Sequence, residues 1–84
     1  MDPKLIELVN EKLRLILDEA VFDEQSEMIF KYHYGIDCKR LEPKAISKEL
    51  KISQKKMKIE LIRIDNKVFN ILKKHHLFTV EAIL

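Results

Sequence analysis

Apolar residues recur at three- and four-residue steps along most of this chain, which is the spacing of amphipathic helices. The first such stretch starts at Asp2 and Pro3, since an aspartate caps free helical amides and a proline fits the first helical position. The pattern continues to about residue 20, so residues 1–21 are predicted to form one N-terminal helix. Its apolar positions are Leu5, Leu8, Val9, Leu13, Ile16 and Ala20, with further leucines that widen the face.

A second, shorter helix is predicted after a break near residue 22. Asp23 is its capping residue, and Met28, Ile29 and Tyr32 are predicted to form its inner face. Gly35, the single glycine of the chain, is placed to end it, because glycine readily adopts the left-handed conformation that closes a helix.

A third helix and a long fourth helix follow a polar connection. Pro43 begins the third helix, which faces inward at Ile46 and Leu50. Ser53 is then the predicted cap of a fourth helix over roughly residues 54–75, a stretch with no Gly or Pro to interrupt it.

The fourth helix divides into three rows of side chains when its residues are placed on a helical wheel. The predicted core stripe consists of Met57, Leu61, Ile64, Val68, Ile71 and Leu72. A basic row consists of Lys56, Arg63, Lys67 and Lys74. A second apolar row, separate from the first, consists of Ile59, Ile62 and Phe69.

These elements predict an all-α fold of four or five helices without a sheet. A chain of 84 residues is long enough for one domain with one core. We therefore expect a single domain over residues 1–84. It comprises the N-terminal helix 1–21, a helix-turn-helix region 22–75 and an apolar tail 76–84.

Composition excludes several classes of function. The single cysteine, Cys38, cannot form an internal disulfide, and the sequence shows neither a signal peptide nor a membrane-spanning run, so we expect a cytoplasmic protein. His33, His75 and His76 lack the spacing of a zinc site. No catalytic arrangement or nucleotide-binding loop is present, so we expect no enzyme activity, no cofactor and no small-molecule substrate.

The charge of the chain is unevenly distributed. Residues 1–30 hold three basic residues against eight acids, whereas residues 31–76 hold thirteen basic residues against five acids. A basic middle of this kind indicates either a polyanionic partner or a solvated lysine-rich surface, and charge alone does not decide between them.

The helix-turn-helix region resembles region 4 of the sigma-70 family of bacterial transcription factors. Residues 28–37 (MIFKYHYGID) are similar to the end of the first region-4 helices, and residues 45–53 (AISKELKIS) are similar to the family's turn segment. Residues 54–58 (QKKMK) then occupy the family's base-reading segment. The resemblance covers about residues 22–72.

This resemblance implies that the helix from Ser53 onward enters the major groove of DNA. It also implies that the earlier helices offer an apolar groove to the RNA polymerase core. Gln54, Lys55 and Lys58 stand where the family has base-reading Arg, Glu and Arg, so the usual promoter sequence is not expected to be read. Lys51 replaces the family's turn glycine at some conformational cost.

We therefore expect a DNA-binding transcription regulator, or a sigma-like fragment that acts with RNA polymerase. The predicted DNA-contacting residues are Ser53, Gln54, Lys55, Lys56, Lys58, Arg63 and Lys67. The second hypothesis is a protein-interaction module that mimics sigma region 4 and binds RNA polymerase or a sigma regulator without DNA contact. Ile59, Ile62 and Phe69 are either covered by the chain itself or form a protein interface, and a homodimer through residues 59–84 is expected.

Overall fold

The computed structural model describes residues 2–77, and this part of the chain is all-helical with no strand. Its five helices are α1 (Pro3–Glu11), α2 (Leu13–Ala20), α3 (Glu24–Tyr34), α4 (Pro43–Leu50) and α5 (Gln54–Lys74). The predicted fold class is thus confirmed. None of the described helices is long and apolar enough to cross a membrane.

The N-terminal segment forms two helices rather than the predicted one. The chain bends at Lys12, whose φ and ψ are −105° and 23°. No Gly or Pro lies at this point, so the bend is a product of packing rather than of local conformational preference. Val9 on α1 and Ile16 on α2 are both fully buried, and α2 packs against α5. The bend thus changes the direction of α1 relative to α2, so that the wide apolar face of the N-terminal segment can be buried in one core.

The predicted capping residues start and end the helices as expected. The Asp23 carboxylate accepts a hydrogen bond from the backbone N–H of Ser26 at 2.7 Å, and this bond lowers the pKa of Asp23. Gly35 ends α3 with a φ of 70°. Lys51 ends α4 with a φ of 56°, so a lysine occupies a left-handed position that glycine would adopt with less strain.

The core is built around α5, whose six predicted core residues are all buried. On α3, the prediction that Met28 faces inward is wrong, since 41% of its surface is exposed. Ile29 is buried as predicted, together with Phe30 and Tyr34. The buried residues of α3 therefore recur at three- and four-residue steps, and two of them, Ser26 and His33, are polar.

Leu77 packs against this core, and its backbone N–H donates to the Leu72 carbonyl at 2.9 Å. Leu77 belongs to the predicted apolar tail 76–84, whose residues 78–84 lie outside the described part of the chain. The self-association that was expected to involve this tail stays a prediction.

Candidate nucleic-acid interface

Helices α4 and α5 are joined by a three-residue connection, which produces the predicted helix-turn-helix arrangement. Ile46 on α4, Ile52 in the connection and Met57 on α5 are buried together in the core, so the two helices are packed rather than merely consecutive. The Ser53 hydroxyl accepts a hydrogen bond from the Lys56 backbone N–H at 3.1 Å. This bond caps α5 and defines where its exposed amino end begins.

The structure brings five of the seven predicted DNA-contacting residues together at this amino end. Ser53, Gln54, Lys55, Lys56 and Lys58 are all exposed. None of the three lysine ammonium groups has a hydrogen-bond or ion-pair partner within residues 2–77. Their charges are therefore free to meet a ligand that approaches from solvent.

The other two predicted residues are separated from this cluster. The Arg63 guanidinium donates to the Ser26 hydroxyl at 2.6 Å and to the Glu60 carboxylate at 2.5 Å. The Lys67 ammonium donates to the Ala20 carbonyl at 2.9 Å and lies 5.6 Å from the centre of the Phe22 ring. Arg63 thus holds α5 against the first turn of α3, and Lys67 holds it against the end of α2 and Phe22, so neither side chain extends from the exposed amino end.

Three further lysines join the exposed cluster, although the sequence reasoning did not select them. Lys44 and Lys48 of α4 line a shallow groove together with Ser53 and Gln54. Lys51 lies in the connection itself, and all three lysines are exposed without a partner among the described residues. These lysines recur at three- and four-residue steps within and just after a short predicted helix, and this spacing could have identified them from the sequence.

We call the six exposed lysines around this amino end the basic face. They surround the start of α5 rather than lying on one side of it, because Lys56 and Lys58 are about 160° apart at 100° per residue. Only one acidic residue, Glu49, lies between the first and the last of them. Such a concentration of unpaired positive charge produces a local potential that attracts polyanions. The members of the basic face are Lys44, Lys48, Lys51, Lys55, Lys56 and Lys58.

A partly buried polar network joins α5 to α3. The Tyr34 hydroxyl donates to the Asp65 carboxylate at 2.5 Å, and the His33 ring Nε2 lies 3.1 Å from the same carboxylate oxygen. Burial alone would raise the pKa of Asp65, but the hydrogen bonds with His33 and Tyr34 and the charge of His33 lower it. Burial and the adjacent carboxylate raise the pKa of Tyr34, so its hydroxyl remains a donor. The sequence reasoning missed this network.

The predicted second apolar row of α5 is divided by the structure. Ile59 and Ile62 are 59% and 56% exposed, so within the described chain most of their surface is uncovered. Phe69 is half-buried and packs against the core of its own chain. Only the first two residues therefore offer an apolar surface to a partner.

The histidines and the cysteine are dispersed. The His75 ring pairs with the Glu19 carboxylate, and the Cys38 thiol lies in a loop, 3.6 Å from the Lys31 carbonyl oxygen. Within residues 2–77, no group of three or more His, Cys, Asp or Glu side chains is arranged to hold a metal ion.

In comparisons with known proteins, no family model, curated protein or solved structure matches this chain significantly. The likeness to sigma region 4 thus rests on the sequence segments quoted above.

Proposed function

We propose that this chain binds duplex DNA through the amino end of α5 and regulates transcription. The observation that carries the proposal is a contrast among the basic residues of α5. The three lysines at its amino end are all exposed and unpaired. Of the four basic residues farther along, Arg63, Lys67 and Lys74 are bound to groups of the same chain, and only Lys73 has no partner among the described residues. A face of free cations on a helix-turn-helix favours a polyanionic ligand over a merely solvated surface.

In this proposal α4 supports α5 while α5 enters the major groove. The lysines of the basic face then neutralise phosphates on either side of the groove, which supplies affinity without sequence information. Gln54, the first residue of α5, has an amide that can pair with the edge of an adenine. The network of Asp65 with His33 and Tyr34 keeps α5 in position during binding.

The transcriptional role is proposed from the resemblance to sigma region 4. It implies a cytoplasmic regulator, or a sigma-like fragment, that works with bacterial RNA polymerase. The earlier helices would then contact the polymerase core. The changed residues at Gln54, Lys55 and Lys58 imply a DNA target that differs from the usual promoter element.

A protein-interaction module without DNA contact is the second candidate. The observation that favours it is the exposed pair Ile59 and Ile62, since exposed aliphatic side chains also occur at protein interfaces. Binding of purified RNA polymerase core with no measurable binding to any duplex would support this candidate.

The salt dependence of duplex binding tests the main proposal. We compare the wild-type chain with a variant in which Lys55, Lys56 and Lys58 are changed to alanine, by fluorescence anisotropy with a labelled duplex. Each lost phosphate contact should flatten the slope of log affinity against log salt by about 0.9, so the triple variant should lose up to about 2.7. Because these side chains are exposed and unpaired, the far-UV circular dichroism spectrum should not change.

A matched control removes the same charge elsewhere. Lys4, Lys12 and Arg14 lie on the N-terminal segment and have no side-chain partner within the described residues. Changing all three to alanine should leave the slope close to that of the wild type. Equal slopes for the wild type and the Lys55, Lys56, Lys58 variant would refute the proposed interface.

A further inference from the structure

Two aliphatic side chains lie exposed next to the basic face. Ile59 and Ile62 are the exposed large apolar residues of α5, whereas the other isoleucines of this helix, Ile64 and Ile71, are buried. A single exposed isoleucine needs no explanation, but two that lie one turn apart form a continuous apolar surface.

The pair shares its side of the helix with the polar residues of the proposed interface. At 100° per residue, Gln54, Lys55, Lys58, Ile59 and Ile62 fall within an arc of about 140°. The core stripe lies on another side of the helix. A ligand that reaches the two lysines along this arc therefore also meets the two isoleucines.

Charge decides which kind of partner fits this surface. Lys55 and Lys58 lie one turn before the isoleucines and have no acidic partner within residues 2–77. The one carboxylate on this arc, Asp65, is already bound by His33 and Tyr34, so the lysine charges are left to dominate the surface. A second copy seated on this surface would bring a further set of lysines into a desolvated interface, where like charges repel. An anionic partner with small apolar groups between its charges fits better. The major groove of DNA has this pattern, because thymine methyl groups project into a groove bordered by phosphates.

We propose that Ile59 and Ile62 contact the 5-methyl groups of thymine in the major groove, so that this chain recognises DNA partly through pyrimidine methyl groups. The inference rests on the proposed function, since it requires α5 to enter the groove. It adds a source of sequence preference that does not depend on charged base-reading side chains. Lys55 and Lys58 would bind the phosphates, and the contact of the isoleucines with a methyl group would strengthen binding where that group is present.

Duplexes that differ only in this methyl group test the inference. The first pair is alternating A·T against alternating A·U, in which uracil lacks the thymine methyl. The second pair is alternating G·C with or without 5-methylcytosine, which adds a methyl group to a different base. Burial of one methyl group corresponds to about a fourfold change in affinity. We expect the methylated member of each pair to bind at least about fourfold more tightly.

Variants of the chain identify the residues responsible. Changing Ile59 and Ile62 to alanine should abolish the preference for methylated duplexes and leave the salt slope unchanged. Changing Lys55 to alanine should weaken binding to both members of each pair equally. Val21 provides the matched control, because it is an aliphatic residue of 76% exposure that lies outside α5. Its change to alanine should leave the methyl preference intact.

The outcomes separate this inference from the proposed function. Equal affinity of the wild type for both members of each pair would overturn the methyl contact, while a steep salt slope would still support DNA binding. Absence of duplex binding altogether would overturn both. A dimer in sedimentation equilibrium that the Ile59 and Ile62 variant converts to a monomer would assign the surface to a second copy and also overturn the inference.

Discussion

Replacing Asp65 by alanine should destabilise the fold because this carboxylate is the shared acceptor between α3 and α5. The Tyr34 hydroxyl and the His33 ring both contact its Oδ1 atom. Tyr34 is fully buried and His33 is 7% exposed, so neither gains a water molecule easily when the acceptor is removed. Asp65 thus satisfies buried polar groups that lie some thirty positions earlier in the chain.

The magnitude follows from the groups left without a partner. A buried donor without an acceptor costs about 1–3 kcal/mol. The Asp65 side chain is 29% exposed, so water compensates in part, and we expect a loss of about 2–3 kcal/mol rather than the full sum for two groups. For a domain of this size, that corresponds to a fall in melting temperature of about 8–24 °C.

Urea unfolding followed by circular dichroism measures the loss, and a double-mutant cycle assigns it to the hydrogen bond. Tyr34→Phe removes the hydroxyl that needs the acceptor, so it should cost clearly less in the Asp65→Ala background than in the wild type. Asp65→Asn is the matched control, since it keeps an acceptor oxygen while losing the charge, and it should cost only about 1 kcal/mol.

Two results would refute this reasoning. The first is a loss below about 0.5 kcal/mol for Asp65→Ala, the range of ordinary surface substitutions. The second is an equal cost of Tyr34→Phe in both backgrounds, because independent effects would mean that the hydroxyl and the carboxylate do not depend on each other.

Three further predictions concern stability. Val21 is a β-branched residue at a left-handed φ of 48°, so Val21→Gly should stabilise the fold by about 0.5–1 kcal/mol. Val21→Ala keeps a Cβ and should therefore stabilise it by less. A lower melting temperature for the glycine variant than for the wild type would contradict this prediction. Ser53→Ala removes the cap of α5 and should cost about 1 kcal/mol in urea unfolding, whereas Ser53→Asp should retain most of the stability; equal stability of all three proteins would mean that the cap is dispensable. Because the pKa of Asp65 is lowered in the folded state, its contribution to folding stability is fully present above the unfolded pKa of about 3.9 and is lost as the pH falls through the folded pKa. Acid titration of Asp65→Asn should therefore show a weaker loss of folding stability below pH 4 than that of the wild type.

Local features of the chain were predictable from its sequence. The caps at Asp23 and Ser53, the end of α3 at Gly35 and the core stripe of α5 follow from residue types and from spacing within a single helix. These features depend on interactions between residues no more than a few positions apart, and helical geometry determines which of them share a face. The helix-turn-helix and the position of its basic amino end were therefore expected before any tertiary contact was known.

The division of the basic residues was decided only by the tertiary structure. Arg63 and Lys67 have the same charge as the lysines of the basic face, and they belong to a regular row on the helical wheel. Arg63 is bound to Ser26, and Lys67 is bound to the Ala20 carbonyl, 37 and 47 positions away respectively. Periodicity within α5 carries no information about groups that approach it from other helices, so it cannot distinguish a free cation from a paired one.

The same physical reason applies to the bend and to the buried network. The bend at Lys12 has no local cause in Gly or Pro and depends on how two segments pack in one core. The pairing of Asp65 with Tyr34 joins residues 31 positions apart, and in the sequence Asp65 is one charged residue among many on a long helix. Local preferences determined where the helices of this chain begin and which faces they bury. Only their packing determined which polar groups hold the fold together and which remain unpaired within the described part of the chain.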